Sequence, residues 1–328
     1  MGIGSLLYVV RIRDPHQLLD AAFAGDRTAL ARAMSVCEAG GDACEVLMQR
    51  CRGMAARAHV IGITGAPGAG KSTLTDQLLN VMSGALGPAG KIGVLLIDPS
   101  SPVTGGAILG DRVRMADHTL NDGVFLRSLA TRGAHGGLSR VVPNAVRLLD
   151  AVGFDWIVIE TVGVGQVELD VAGAADTAVV VVNPGWGDAV QAQKAGLIEI
   201  ADIFVINKAD RPGARAVEAD LLTLAELRSG YEPNARVYPI VSTIALDGTG
   251  VDQLWTEIEA HRSRAIADGS REVRRAQRNT LELAALLRQR FDEQLAKNSG
   301  SEGFREIAQQ LANGTLKLAN ALDRAEEL

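Results

Sequence analysis

The chain has 328 residues, a formal net charge of −6, 47% hydrophobic residues and 22% charged ones. At roughly 150 residues per domain, that is one large domain with additions, or two domains. The apolar content excludes disorder as the main state, because a chain of this kind can bury a sizeable core. Mild acidity argues against a general nucleic-acid binder, which needs a basic face. No apolar run reaches the ~20 residues needed to span a bilayer. The stretch Ile3–Val10 is short, precedes Arg11 and Arg13 and lacks a small-residue cleavage site, so it does not read as a signal peptide. Glycine, at 36 residues, is the compositional outlier, and it is clustered.

In chain order, residues 14–58 read as helical. Leu18, Leu19, Ala22 and Phe23 form a stripe, Asp26 is an expected N-cap, and Gly40-Gly41 separates two helices. Three cysteines, Cys37, Cys44 and Cys51, lie seven apart on one helical face. They read as small buried hydrophobes in a reducing compartment, not as a disulfide framework or a zinc site. Residues 59–262 alternate β-branched runs with helical stretches. The expected strands are Val60–Thr64, Ile92–Asp98, Val124–Arg127, Trp156–Glu160, Ala178–Val182, Ile203–Asn207 and Val237–Val241. Runs that are apolar on both faces suit parallel strands covered by helices, so the expected fold is α/β with a doubly wound, mostly parallel sheet. Residues 263–328 return to helix, with Leu283, Leu287, Phe291 and Leu295 at i, i+4 steps and Phe304, Ile307 and Leu311 beyond. The Arg271, Arg274, Arg275 and Arg278 cluster reads as a solvated helix face or part of a subunit contact. The expected organisation is an N-terminal helical extension (1–58), a nucleotide-binding domain (59–262) and a C-terminal helical arm (263–328).

Gly65-Ala66-Pro67-Gly68-Ala69-Gly70-Lys71-Ser72-Thr73 matches G-x-x-x-x-G-K-[ST], after an apolar strand and before a helical pattern. Glycines let backbone N–H groups turn towards phosphate oxygens, and the helix N-terminus adds its positive dipole end. Lys71 supplies a charge to the β- and γ-phosphates, and the Ser72 hydroxyl can ligate Mg²⁺.

Asn207-Lys208-Ala209-Asp210 follows the run Ile203–Ile206, at the carboxyl end of a strand. A carboxylate at Asp210 accepts from the adjacent N1–H and N2–H₂ donors of guanine but opposes the N1 lone pair of adenine. Such a mismatch leaves buried polar groups unpaired, so the expected base is guanine. Ser242, Thr243 and Ile244 end the next strand and are expected to add backbone contacts to the base.

Asp98 and Glu160 both close apolar strands on the phosphate-loop edge, where carboxylates can hold Mg²⁺ or orient its waters. Glu160 opens Glu-Thr-Val-Gly163, similar to a D-x-x-G loop, with Glu in place of Asp. Lys71, Asp98 and Glu160 are therefore the expected catalytic residues, and Ser72, Asp98, Asp111 and Glu160 the expected metal ligands. Arg112 is placed near the phosphates. His135, in a second glycine-rich loop, reads as structural. Asp188, Gln191 and Lys194, at i, i+3 and i+6 after the valine-rich strand, fall along one side of a helix start.

Together these strings resemble the MeaB/ArgK family, methylmalonyl-CoA mutase-associated GTPases of the SIMIBI class of P-loop proteins. The residues that carry the resemblance are Gly65–Thr73, Asp98-Pro-Ser-Ser101, Gly105–Met115, Thr131-Arg-Gly133, Gly136–Ser139, Glu160–Gln166 and Asn207–Asp210, within a match over roughly 15–325. The resemblance implies a Mg²⁺-dependent GTPase chaperone that binds an adenosylcobalamin-dependent acyl-CoA mutase and gates its cofactor loading. It also implies a switch segment at Asp188, Gln191 and Lys194 and homodimerisation through the C-terminal arm. No direct cobalamin binding is expected, since Asp14-Pro-His16 lacks the glycine of a D-x-H-x-x-G signature. No nucleic-acid or membrane partner is expected, and the location is expected to be cytoplasmic. Competing readings are a nickel metallochaperone GTPase of the same fold, a kinase acting on a transport-binding protein, and a non-catalytic GTP-binding module.

Overall fold

A computed structural model describes residues 14–54, 57–98, 121–130, 141–161, 171, 173–185, 200–231 and 238–326. Seven strands form one all-parallel sheet: β1 (His59–Gly65), β2 (Ile92–Asp98), β3 (Val124–Ala130), β4 (Trp156–Thr161), β5 (Thr177–Val182), β6 (Ile203–Asn207) and β7 (Ile240–Thr243). Their spatial order is β3-β2-β4-β1-β5-β6-β7. The last strand begins later than the expected Val237–Val241. Pro239 has no N–H to donate to a ladder; its carbonyl accepts from Phe204, and strand pairing starts at Ile240.

Among the described residues the helices are α1 (Pro15–Phe23), α2 (Arg27–Ala39), α3 (Gly41–Arg52), α4 (Lys71–Leu86), α5 (Val141–Val152), α6 (Ala214–Tyr231), α7 (Val251–Ala267), α8 (Ser270–Asn298), α9 (Glu302–Ala312) and α10 (Leu318–Glu326). Alternation along each strand sends successive side chains to opposite faces. Val60, Leu95, Ile97, Phe125, Leu129, Ile157 and Ile159 meet α1–α3 and α5. Ile61, Ile63, Val94, Leu96, Val158, Val179, Val181 and Val205 meet α4 and α7. Val180, Val182, Phe204 and Ile206 meet α6. The N-terminal helices thus share the core of one sheet face. Asp26 caps α2 by accepting from Thr28 N at 2.8 Å and Ala29 N at 3.0 Å. Cys37, Cys44 and Cys51 are thiols, outside any disulfide, buried in the same layer. The Cys44 hydrogen bond and burial raise the Cys37 thiol, and burial pushes Cys51 up to about 11, so both stay protonated.

The chain divides into two compact units, Met1–Arg271 and Glu272–Leu328. Within the second, Ile307 of α9 and Ala321 of α10 are buried, and Arg324 of α10 donates to Gln310 Oε1 of α9 at 3.0 Å. Leu283, Leu287, Phe291 and Leu295 of α8 stay exposed. No helix among the described residues is long and apolar enough to cross a membrane.

The amino edge of the sheet carries a buried polar chain. Thr177 Oγ1 lies 2.8 Å from His59 Nε2 and 2.7 Å from His261 Nδ1, and His261 Nε2 faces Asp202 Oδ1 at 3.2 Å. One hydroxyl hydrogen serves only one ring, so one imidazole donates to Thr177 and the other accepts. A hydrogen on His261 Nε2 faces the carboxylate, which leaves Nδ1 to accept from Thr177 and His59 Nε2 to donate to it. Burial pushes His59 down to about 3, Asp176 opposing the shift and Arg262, His261 and Arg271 adding to it. A histidine unfolded near 6.5 and folded near 3 binds its proton only on unfolding in that window. Its contribution to stability is complete above pH 6.5 and is lost as pH falls towards 3, at up to about 1.4 kcal/mol per pH unit. His59→Gln is expected to flatten the acid limb of a plot of urea midpoint against pH between 6 and 4, whereas an unchanged slope would show that other groups carry the acid sensitivity.

Candidate nucleotide site

The phosphate loop leaves β1 at Gly65, whose φ of +137° sets it against β5. A Cβ there would lie 2.0 Å from Val181 O, so only glycine fits. Gly70, at φ +90°, caps α4 without a side chain, and a Cβ there would meet Asn207 Nδ2 at 2.4 Å. With no side-chain cap, the first N–H groups of α4 offer their dipole end to an anion. Lys71 is buried, and its Nζ donates to Gly65 O at 2.5 Å and Ala66 O at 3.1 Å, holding the ammonium along its own loop. Ala69 is buried, Pro67 and Gly68 are exposed, and Ala66 and Thr73 are half-buried at the rim.

Ser72 Oγ donates to Glu160 Oε1 at 2.5 Å, with Glu160 fully buried at the end of β4. This pairs a hydroxyl with a carboxylate beside the loop, a hard-oxygen set that suits Mg²⁺. Asp98 ends β2, two residues past the position that registers with Glu160 on the adjoining strand. Both residues therefore reach the same sheet edge. Among the described residues no group of three or more His, Cys, Asp or Glu could hold a metal ion. Asp111, Arg112, His135, Gln166, Asp188, Gln191 and Lys194 lie outside the described residues.

The segment that follows β6 is fastened to this loop. Asn207 Nδ2 donates to Ala69 O at 2.8 Å, and its Oδ1 accepts from Thr243 Oγ1 at 3.2 Å and Ala245 N at 3.1 Å. Lys208 takes a left-handed conformation, φ 59°, and its Nζ donates to Gly68 O at 2.7 Å. Ala209 N donates to Thr243 O at 3.1 Å. Asp210 is exposed on the turn that follows. Thr243 is buried, Ser242 exposed and Ile244 half-buried. Ile244 N bonds Thr249 O across a tight turn. Ala245 was not singled out from the sequence. Its signal lies in Asp247-Gly-Thr-Gly250, a turn string that folds the chain back and leaves the preceding small residue to pack inwards.

A glycine-rich loop joining a central parallel strand to an uncapped helix, with a buried lysine and a half-buried serine, defines a P-loop nucleotide-binding protein. A family model described as methylmalonyl Co-A mutase-associated GTPase MeaB matches residues 30–300, and the chain belongs to that family. A protein of Pyrococcus horikoshii that bears a GTPase name is 45% identical over 254 residues, 75% of this chain and 77% of its own length. The fused isobutyryl-CoA mutase of Cupriavidus metallidurans is 37% identical over 242 residues, 72% of this chain but 22% of that protein. A crystal structure named LAO/AO transport system kinase superposes with a TM-score of 0.64 over 96% of this chain and 98% of that one. At 22% identity, it shares the fold.

Asn207→Ala removes the carboxamide that joins the phosphate loop to β7 and leaves Ala69 O and Ala245 N without it. The expected cost is about 2 kcal/mol in urea denaturation, from unpaired buried groups, together with weaker GDP binding by isothermal titration.

Proposed function

We propose that the chain is a GTP-hydrolysing chaperone of an adenosylcobalamin-dependent acyl-CoA mutase, with methylmalonyl-CoA mutase the expected partner. The observation that carries the nucleotide part is the Asn207 link. It sets the N-K-x-D string, with Asp210 available to a guanine edge, against the loop that takes phosphates. The mutase part rests on family membership and on a relative that is a fused acyl-CoA mutase.

In this reading the loop's N–H groups and Lys71 bind the β- and γ-phosphates and stabilise charge that develops on them. Asp210 selects the base, and the chain from Ser242 to Ala245 supports it. Ser72 and Glu160, with Asp98 and Asp111, would hold Mg²⁺, which when bound supplies positive charge beside the departing phosphate. Water attacks the γ-phosphate in line. The loss of that phosphate changes the surface offered to the mutase, with Asp188, Gln191 and Lys194 as the relay. The protein acts in the cytoplasm and binds no cobalamin itself.

The arm supports a homodimer. Leu283, Leu287, Phe291 and Leu295 recur every fourth residue on α8 and are 58%, 60%, 57% and 42% exposed. A continuous apolar stripe of this kind suits a second helix of the same chain.

The decisive experiment is GTP turnover by the purified protein, alone and with methylmalonyl-CoA mutase from the same source. Slow turnover that rises severalfold with mutase, and that vanishes in Lys71→Ala, is expected. Wild-type turnover by Lys71→Ala would sink the catalytic assignment, and indifference to mutase would remove the partner. Independently, Leu287→Glu combined with Phe291→Glu is expected to convert a dimer to a monomer in sedimentation velocity.

A further inference from the structure

Where β6 and β7 begin and α7 ends, at the sheet edge opposite the phosphate loop, lies a cavity of about 350 Å³. Its volume is at the small end of those that take ligands. Asp202 and His261 form a buried polar wall, Tyr238 and Ala265 an apolar one, and the exposed Arg264 and Asp268 a rim. These groups are fixed before any ligand arrives. Asp202 N donates to Ala178 O at 2.9 Å, and Asp202 Oδ2 accepts from Ala178 N at 2.9 Å. His261 turns Nδ1 to Thr177 Oγ1 at 2.7 Å, which leaves the far corner of the ring, Nε2, beside Asp202 Oδ1 at 3.2 Å. The Tyr238 ring meets Phe204 edge-on with centroids 6.2 Å apart, and Asp268 Oδ1 accepts from Ser270 N at 2.9 Å. Within this frame His261 Nε2 makes no hydrogen bond, although its side chain is only 6% exposed. It is near enough to Asp202 for an ion contact and out of line for a hydrogen bond. A buried N–H without an acceptor costs about 1–3 kcal/mol, which an accepting ligand atom recovers.

We propose that this cavity binds a small neutral polyol, of the monosaccharide or cyclitol class, through a hydroxyl set against His261 and Asp202. A hydroxyl answers both partners, since its oxygen accepts from Nε2–H while its hydrogen goes to the carboxylate. An ammonium group would bring His261 a second donor. A carboxylate or phosphate would face the like charges of Asp202 and Asp268. At the rim Arg264 and Asp268 carry opposite charges, so together they favour neither a cation nor an anion, and each can bond a further hydroxyl. Tyr238 supplies aromatic surface for the ring C–H groups of such a ligand. The site is a second binding function on the edge away from the nucleotide, and it does not rest on the GTPase reading.

The test is an amide chemical-shift titration of the isotope-labelled full-length protein with myo-inositol, glucose and glycerol, and with putrescine and succinate as charged counterparts. The expected result is saturable shifts for at least one polyol, with a Kd of about 0.1–10 mM. They should be confined to the starts of β6 and β7 and the last turns of α7. Arg264→Ala, a surface change, is expected to weaken that polyol about three- to tenfold. Ala265→Leu, which fills part of the cavity with carbon, is expected to abolish the shifts. GDP affinity should stay within about twofold in both variants, since the nucleotide site is distant. No saturable shift from any of the three polyols at about 50 mM would overturn the proposal. So would putrescine or succinate binding as tightly as the best polyol, and so would polyol binding that both variants leave unchanged.

Discussion

The site depends on one carboxamide. Asn207 donates from Nδ2 to the phosphate loop and accepts at Oδ1 from β7's last residue and from the turn beyond it. Three chain segments distant in sequence meet on that side chain. The chemistry is specific to Asn: a carboxylate in its place would oppose the Ala69 carbonyl, and an apolar residue would leave a buried carbonyl and N–H unpaired. Its presence explains two neighbours. Gly70 has no side chain because the space belongs to Asn207 Nδ2. Lys208 accepts a left-handed backbone, which costs a non-glycine residue of order 1 kcal/mol. In that conformation its ammonium reaches Gly68 O and adds a second tie to the same loop.

The two edges of the sheet solve opposite problems. On the amino edge, aspartates just before the strands close open N–H groups of their neighbours. Asp155 accepts from Lys91 N, Asp176 from Val60 N and Asp202 from Ala178 N, at 2.9, 3.0 and 2.9 Å. With His59, Thr177 and His261 between them, this edge spends its polar groups internally. Trp156 adds aromatic cover, touching His59 and Trp255 edge-on beneath the Arg262 guanidinium. On the carboxyl edge the reverse holds. Glycines replace side chains, the first turn of α4 is uncapped, and N–H groups remain for an anion. A ligand of high negative charge is thus directed to one edge by what each edge does with its backbone donors.

How much of this was readable in the sequence follows from the physics of each part. All seven strands were legible because runs such as Thr177–Val182 are apolar on both faces, and only a covered parallel strand tolerates that. The phosphate loop and the Asn207–Asp210 string were legible because their residue types have few other uses at strand ends. The start of β7 was misplaced because hydropathy does not register that Pro239 cannot donate. The Ala245 bond was invisible because it joins positions 38 residues apart, and no local periodicity encodes which turn folds back on which. The amino-edge chain was missed for the same reason. His59, Thr177 and His261 are unremarkable singly, and acquire their meaning from a register that places β1 beside β5 and under α7.

The same logic explains why the N-terminal helices belong to this fold and are not an ornament on it. Among the described residues β3 is an edge strand, with β2 on one side only, and an open edge invites pairing with foreign strands. Arg27, at the start of α2, donates to the Asn121, Asp122 and Val124 carbonyls and lays its guanidinium 5.9 Å from the Phe125 ring centroid. Near the other end of α2, Glu38 accepts from Arg127 Nε and NH2 at 3.0 and 2.7 Å, and Ser35 accepts at 3.0 Å. One helix therefore fastens β3 at its start and at its middle. Arg127 sits among residues whose neighbours Phe125 and Leu129 are core, so its charge is half-buried and needs Glu38 beside it. Among the described residues β3 in turn is the only ladder partner on the outer side of β2, with Ala130 opposite Asp98. The position of Asp98 at the site edge therefore depends on an outer strand that α2 holds in place, so residues 27–39 support the nucleotide site without reaching it.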